Sequence, residues 1–130
     1  MSVEVGIEAS HEFRVEGKLL TDIGGTLGFS VLSTPAMIAM MERTAARLVH
    51  PHLPDGKATV GFEVCVRHVG AARPGARCVA RARLREVRDG RKLRFDVEVV
   101  DEERRMIGIG THERRVVDSL AASRADGDRP

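Results

Sequence analysis

The sequence predicts an α+β fold in which one long central helix is wrapped by a curved, mainly antiparallel sheet. Three observations carry that reading. One strong helix start, Ser33-Thr34-Pro35, opens a single apolar helical stripe. Four strand-like runs follow with no second helix among them. Each run alternates apolar with polar residues, so the sheet has one face to bury.

Taken along the chain, a first strand is expected near His11–Val15, and residues 23–28, Ile-Gly-Gly-Thr-Leu-Gly, form a loop ahead of the helix. The helix begins where a hydroxyl side chain caps free backbone N–H groups and proline supplies a preset φ; Thr34 is read as the cap. Met37, Met40, Met41, Thr44, Ala45 and Leu48 recur at helical spacing, and Ile38 and Val49 widen the stripe. The helix stops near His50-Pro51, because proline removes the next donor. Residues 57–69 then alternate, with Ala58, Val60, Phe62, Val64 and Val66 expected on the helix-facing side and Thr59, Glu63 and Arg67 opposite. A Pro74-Gly75 turn leads into 76–87, and Asp89-Gly90 is a hairpin turn that tolerates positive φ. Leu93, Phe95, Val97 and Val99 mark the next strand, and a charged turn at 101–103 precedes the last, over roughly 104–117. A helix enclosed by such a sheet is the hotdog arrangement. It occupies residues 1–118 as one domain, with 119–130 expected as a flexible tail. Exposed sheet edges need cover, which a homodimer would supply.

Composition narrows the function. The chain has 130 residues, enough for one ordinary core. Lys and Arg number 21 against 19 Asp and Glu, and there is no Trp or Tyr, so neither a strong field nor stacking platforms favour nucleic acid. No apolar run nears the roughly 18 residues of a membrane span. The N-terminal MSVEVGIEAS lacks the basic start and apolar stretch of a secretory signal, so a cytoplasmic location is expected. Cys65 and Cys78 fit neither a metal motif nor a disulfide framework, and no metal or cofactor is expected.

His68 is the most informative position. Its parity places it on the helix-facing side of its strand, where an imidazole needs a hydrogen-bond partner; a satisfied structural histidine and an acid–base group both fit. Glu42 lies mid-helix in a mostly apolar segment, so it either faces the sheet, at a desolvation cost that a task would explain, or faces solvent and pairs with a neighbouring arginine. Thr34 and Glu42 are eight residues apart, about 12 Å along a helix axis. They converge only around a substrate or across a dimer interface. The arginines at 73, 77, 81, 83 and 85 read as a solvated sheet face or as contacts for the phosphates of a ligand, while His11 and His112 carry no signal beyond strand position. His50 and His52 flank Pro51 at the helix end, where positive charge suits the dipole.

The segments V-L-S-T-P-A-M-I-A-M-M-E, G-F-E-V-C-V-R-H and G-T-H-E-R, in this order and at compatible spacing, resemble the fluoroacetyl-CoA thioesterase family of hotdog enzymes. The resemblance covers most of residues 11–117. It implies hydrolysis of an acyl-CoA thioester, with Thr34, Glu42 and His68 as catalytic residues and Gly61 and Arg114 at the substrate. The chain departs from the family in the loop before the helix, where Gly25 and Gly28 stand in place of phenylalanines. That departure implies a more open site without strong preference for fluoroacetyl-CoA. Two other functions share the same residues. One is a hotdog hydratase or dehydratase, whose usual helix-borne Asp/His pairing is not found in this sequence. The other is a non-catalytic module that binds acyl-CoA.

Overall fold

The computed structural model describes residues 3–119. Most of the tail expected over 119–130 therefore lies outside the described residues. Strand β1 (Glu8–Arg14) leads through a short 3-10 turn to a two-stranded ribbon, β2 (Leu20–Thr21) and β3 (Val31–Leu32). Helix α1 (Thr34–Val49) follows, then β4 (Lys57–His68), β5 (Arg77–Arg88), β6 (Lys92–Asp101) and β7 (Met106–Asp118). The five long strands form one sheet in the order β1-β5-β6-β7-β4, and every neighbouring pair is antiparallel. The single helix against a mainly antiparallel sheet is the architecture that the sequence pattern predicts. Among the described residues no helix is long and apolar enough to cross a membrane.

The core lies between α1 and the sheet. Met37, Met41, Ala45 and Val49 are almost fully buried against Ala80, Leu84, Leu93, Phe95 and Val99. These sheet residues are the apolar members of the alternating runs. Their polar alternates lie outside, where Arg81 pairs with Glu98 and Arg85 with Asp96, all partly exposed. The outer-face arginines at 81 and 85 thus belong to a ladder of ion pairs on the solvated side of the sheet. Turn chemistry is also as the sequence reads: Asp89 and Gly90 both take positive φ, at 57° and 62°. The Asp101 carboxylate accepts from the backbone N–H groups of Glu103 and Arg105, which fixes the last hairpin.

Three local expectations need correction. The cap of α1 is Ser33, whose hydroxyl accepts from the Ala36 N–H; Thr34 is the first helical residue and Pro35 the second. Either hydroxyl satisfies the sequence rule, but only one can cap, and the other is released for different work. The first strand begins at Glu8, and Val15 is buried just beyond its end. The third correction concerns β4. Its pairing with β7 slips between Gly61 and Glu63, so that Phe62 is the extra residue of a β-bulge. A bulge reverses which side chains face which way. Val60 and Phe62, expected against the helix, instead lie outside at 49% and 58% exposure, with Phe62 under the Arg115 guanidinium. Thr59 and Gly61 take the inner face before the bulge; Val64, Val66 and His68 take it after.

Candidate active site

The slipped register has a direct consequence for the predicted residues. It brings Gly61 beneath α1 at the level of Glu42. A Cβ built on Gly61 would lie 2.6 Å from Glu42 Oε2, inside van der Waals contact, so the absence of a side chain makes room for the carboxylate. Glu42 faces the sheet rather than a neighbouring helix arginine. Its Oε2 is 3.9 Å from Nη1 of Arg114, the buried guanidinium of β7.

Arg114 is held rigidly. Its Nε donates to Thr59 Oγ1 at 2.8 Å and Nη2 donates to the Thr59 carbonyl at 2.9 Å. Nη1 lies 3.2 Å from Nε2 of His112, whose Nδ1 is 2.9 Å from the Glu63 carbonyl at the bulge. His112 is 2% exposed and stacks on Phe95. Burial pushes its pKa below the usual 6.5, with the Glu63 bond opposing and the Arg114 charge adding to the depression. Burial likewise lowers the Arg114 pKa, with Glu42 opposing. Sequence reasoning missed His112. A signal did exist: His112 and Arg114 are two apart on one strand, so an inward arginine implies an inward histidine.

Thr34 and His68 form a second cluster. Thr34 Oγ1 lies 2.8 Å from His68 Nδ1, a bond available because Ser33 does the capping. Burial pushes the His68 pKa below 6.5, and a backbone hydrogen bond with Gly70 opposes the shift. The pair lines an open cleft of about 360 Å³ bordered by Thr21, Ile23, Val31 and Val69. A larger hollow of about 630 Å³ lies on the outer sheet face among Glu8, Arg81, Arg83 and Glu98. It touches neither cluster, so the smaller cleft is the one with chemistry beside it. Within one chain the structure joins Thr34 with His68, and Glu42 with Gly61 and Arg114. It does not join the two groups.

Known proteins share the sequence and the fold of this chain. The family model described as fluoroacetyl-CoA-specific thioesterase matches residues 15–120. The fluoroacetyl-CoA thioesterase of Streptantibioticus cattleyicolor is 39% identical over 90 residues, which are 67% of this chain and 61% of that relative. The match therefore spans less than two thirds of the relative's length. A solved structure of a variant fluoroacetyl-CoA-specific thioesterase, in complex with fluoroacetate and CoA, superposes with a TM-score of 0.82 at 30% identity. It covers 93% of this chain and 99% of that one. A hot-dog-like protein from Thermanaerovibrio acidaminovorans shares the fold, with a TM-score of 0.81 at 21% identity over 94% of this chain and 89% of that one. By the extent of the family match, this chain belongs to the fluoroacetyl-CoA-specific thioesterase family.

Proposed function

We propose that the protein is a homodimeric acyl-CoA thioesterase whose active sites each combine Glu42, Gly61 and Arg114 of one protomer with the partner's Thr34 and the partner's His68. The observation that carries this reading is the separation of the two clusters. Thr34 and Glu42 stand about 12 Å apart along α1 at ~1.5 Å per residue, too far for one thioester carbonyl to meet both.

Strand β4 supplies the way to close that gap. It is an edge of the sheet, with Val60, Phe62 and Val64 all uncovered, and such an edge invites a strand partner. Pairing β4 with its own copy about a two-fold axis normal to the sheet runs the strands antiparallel and keeps inner faces together. With Phe62 set aside as the bulge residue, the ladder reads 61, 63, 64, 65, 66, 67, 68. Its middle member is Cys65. A two-fold through Cys65 sets Gly61 opposite the partner's His68 and Val64 opposite the partner's Val66, inner residue against inner residue. The imidazole then stands beside Glu42.

Thioester hydrolysis needs an attacking oxygen, a proton for the leaving thiolate and stabilisation of the tetrahedral oxyanion. Glu42 serves as nucleophile or as base on water. The partner's His68 passes to the departing sulfur the proton that the hydrolytic water gives up, and the partner's Thr34 fixes that ring and steadies the thioester. Gly61 lets the acyl group approach the backbone closely, and Arg114 places a positive charge beside the carboxylate. The acyl group is small, as in the fluoroacetate complex of the similar enzyme. Gly25 and Gly28 have positive φ and open space at their Cβ positions, so the pre-helix loop does not close tightly on that group.

Three experiments test the reading. Free thiol release from a panel of short acyl-CoAs should show turnover. A hydratase would consume an enoyl-CoA without releasing thiol, and a binding module would do neither. Fluoroacetyl-CoA should be preferred over acetyl-CoA by less than about 100-fold; a larger ratio, some 2.7 kcal/mol, contradicts the open-loop argument. For the dimer, opposed residues of an antiparallel pair have Cα atoms about 4.5–5.5 Å apart, within disulfide range. Mild oxidation should therefore give a species of twice 14.2 kDa that Cys65→Ser abolishes. Cys78 does not compete, because it is buried and its pKa is pushed up to about 11, chiefly by that burial. A monomer alone in sedimentation at micromolar concentration overturns the proposal.

A further inference from the structure

We propose that His112 is a positioning residue for the thioesterase site, an imidazole locked as its neutral Nδ1–H tautomer that ties the β4 bulge to the Arg114 guanidinium and holds that guanidinium back from Glu42. The role in turnover rests on the thioesterase reading; the tautomer does not.

The tautomer follows from its two partners. A carbonyl oxygen only accepts, so the contact with Glu63 requires a proton on Nδ1. A guanidinium only donates, so the contact with Arg114 requires a bare Nε2. Protonating the ring would set two N–H groups and two positive charges against each other at 3.2 Å, both nearly excluded from water. The Glu63 carbonyl at Nδ1, and Glu42 from beyond Arg114, favour a proton on the ring; burial, the largest cause, and the Arg114 charge oppose it and leave the pKa lowered.

The consequence for the site is geometric. Thr59 occupies Nε and Nη2 of Arg114, and His112 is the third tie, on Nη1. Nη1 is also the nitrogen nearest Glu42, at 3.9 Å, longer than a direct hydrogen bond. Without an acceptor at His112 Nε2, Nη1 is free to close on the carboxylate and form a tight ion pair. A carboxylate engaged in that way is a poorer nucleophile or base. The other nitrogen, Nδ1, holds the Glu63 carbonyl, and so fixes the bulge that sets Gly61 under Glu42.

Two near-isosteric replacements separate the ring's functions. The amide of Gln reaches the place of Nε2 and can still accept from Arg114; that of Asn sits at Nδ1 and keeps only the tie to Glu63. His112→Asn should lower kcat by about 30-fold with KM changed less than about threefold, while His112→Gln should lose at most about fivefold. Adding Arg114→Gln to His112→Asn should cost nothing beyond Arg114→Gln alone, because one acts through the other. Equal losses for Asn and Gln, or multiplying losses in the double variant, overturn the proposal. Nitrogen NMR of the wild-type protein gives a readout free of turnover. At pH 6.5, where an ordinary imidazole is about half protonated, His112 should show a protonated Nδ1 and a bare Nε2. A cationic ring or an Nε2–H tautomer overturns the lock. If the wild-type protein releases no thiol from any acyl-CoA, the thioesterase reading fails and with it the role in turnover, while the spectrum still decides the tautomer.

Discussion

The two candidate clusters sit on the same helix and strand but are built on different principles. At the helix start, Thr34 and His68 share one hydrogen bond at the mouth of an open cleft. Midway along the helix, Glu42 meets a floor without a side chain and a guanidinium held by three hydrogen bonds, over a nearly water-free histidine. The first arrangement leaves its groups open to a substrate. The second fixes a charge and shapes the space around it. The difference fits the proposed function, in which the guanidinium-backed cluster aims the attacking oxygen and the open one manages the leaving group.

Removing the carboxylate should produce the largest effect. Glu42→Gln keeps size and hydrogen bonding but loses the charge, and turnover should fall at least ~100-fold, the usual scale for such groups. A folded Glu42→Gln protein with full activity would take the carboxylate out of the mechanism. His68→Ala should cost a similar factor, because the leaving thiolate then lacks its donor. Gly61→Ala tests the floor beneath the carboxylate: the new Cβ would press on Glu42 Oε2 from 2.6 Å. We expect kcat to drop by roughly 10–100-fold, since displacing a reacting group by about 1 Å has that order of cost. Unchanged kcat would mean that the carboxylate does not work from where it stands.

A smaller pair of effects should cross. Thr34→Ala should reduce turnover by about tenfold with little change in melting temperature, because the lost contact is to His68. Ser33→Ala should leave turnover nearly intact and cost about 1 kcal/mol of stability through the lost cap. The opposite assignment would show that Thr34 caps after all. The smallest effect concerns pH. His68 and His112 both have folded pKa values below their usual 6.5. Below pH 6.5 the unfolded chain binds more protons than the folded one, so stability must fall as pH drops through that region. Melting temperature followed from pH 7.5 to 5 should decline. The slope should be shallower in His112→Gln, and an equal slope would place the titration elsewhere.

Much of this was legible in the sequence, and the failures have local causes. The single helix and the strands were readable because their periodicities are written in consecutive residues, as in Leu93, Phe95, Val97 and Val99. The face of β4 was not, because Ala58 to Val66 alternates without interruption through the bulge. An apolar side chain records that it will be covered, not which surface covers it, and Val60 and Phe62 lie outside on an uncovered edge. Ser33 and Thr34 are adjacent and equally fit to cap, so only geometry assigns them. Glu42 could not be aimed from its spacing, because its counter-ion Arg114 lies on a strand 72 residues later. His112 was passed over because it belongs to no motif by itself; its meaning comes from Arg114 two residues on.

The central claim is that each site is shared between two protomers, and mixing inactive variants tests it most directly. Glu42→Gln and His68→Ala proteins are unfolded, combined in equal amounts and refolded together, and thiol release is compared with each variant refolded alone. In a mixed dimer one site receives both substitutions, while the other pairs an intact Glu42 with the partner's intact His68. Half the dimers are mixed and each has one of two sites restored, so activity should recover to about a quarter of wild type. If the mixture is no more active than its components although mixed dimers have formed, each site lies within one chain, and the shared-site account is wrong.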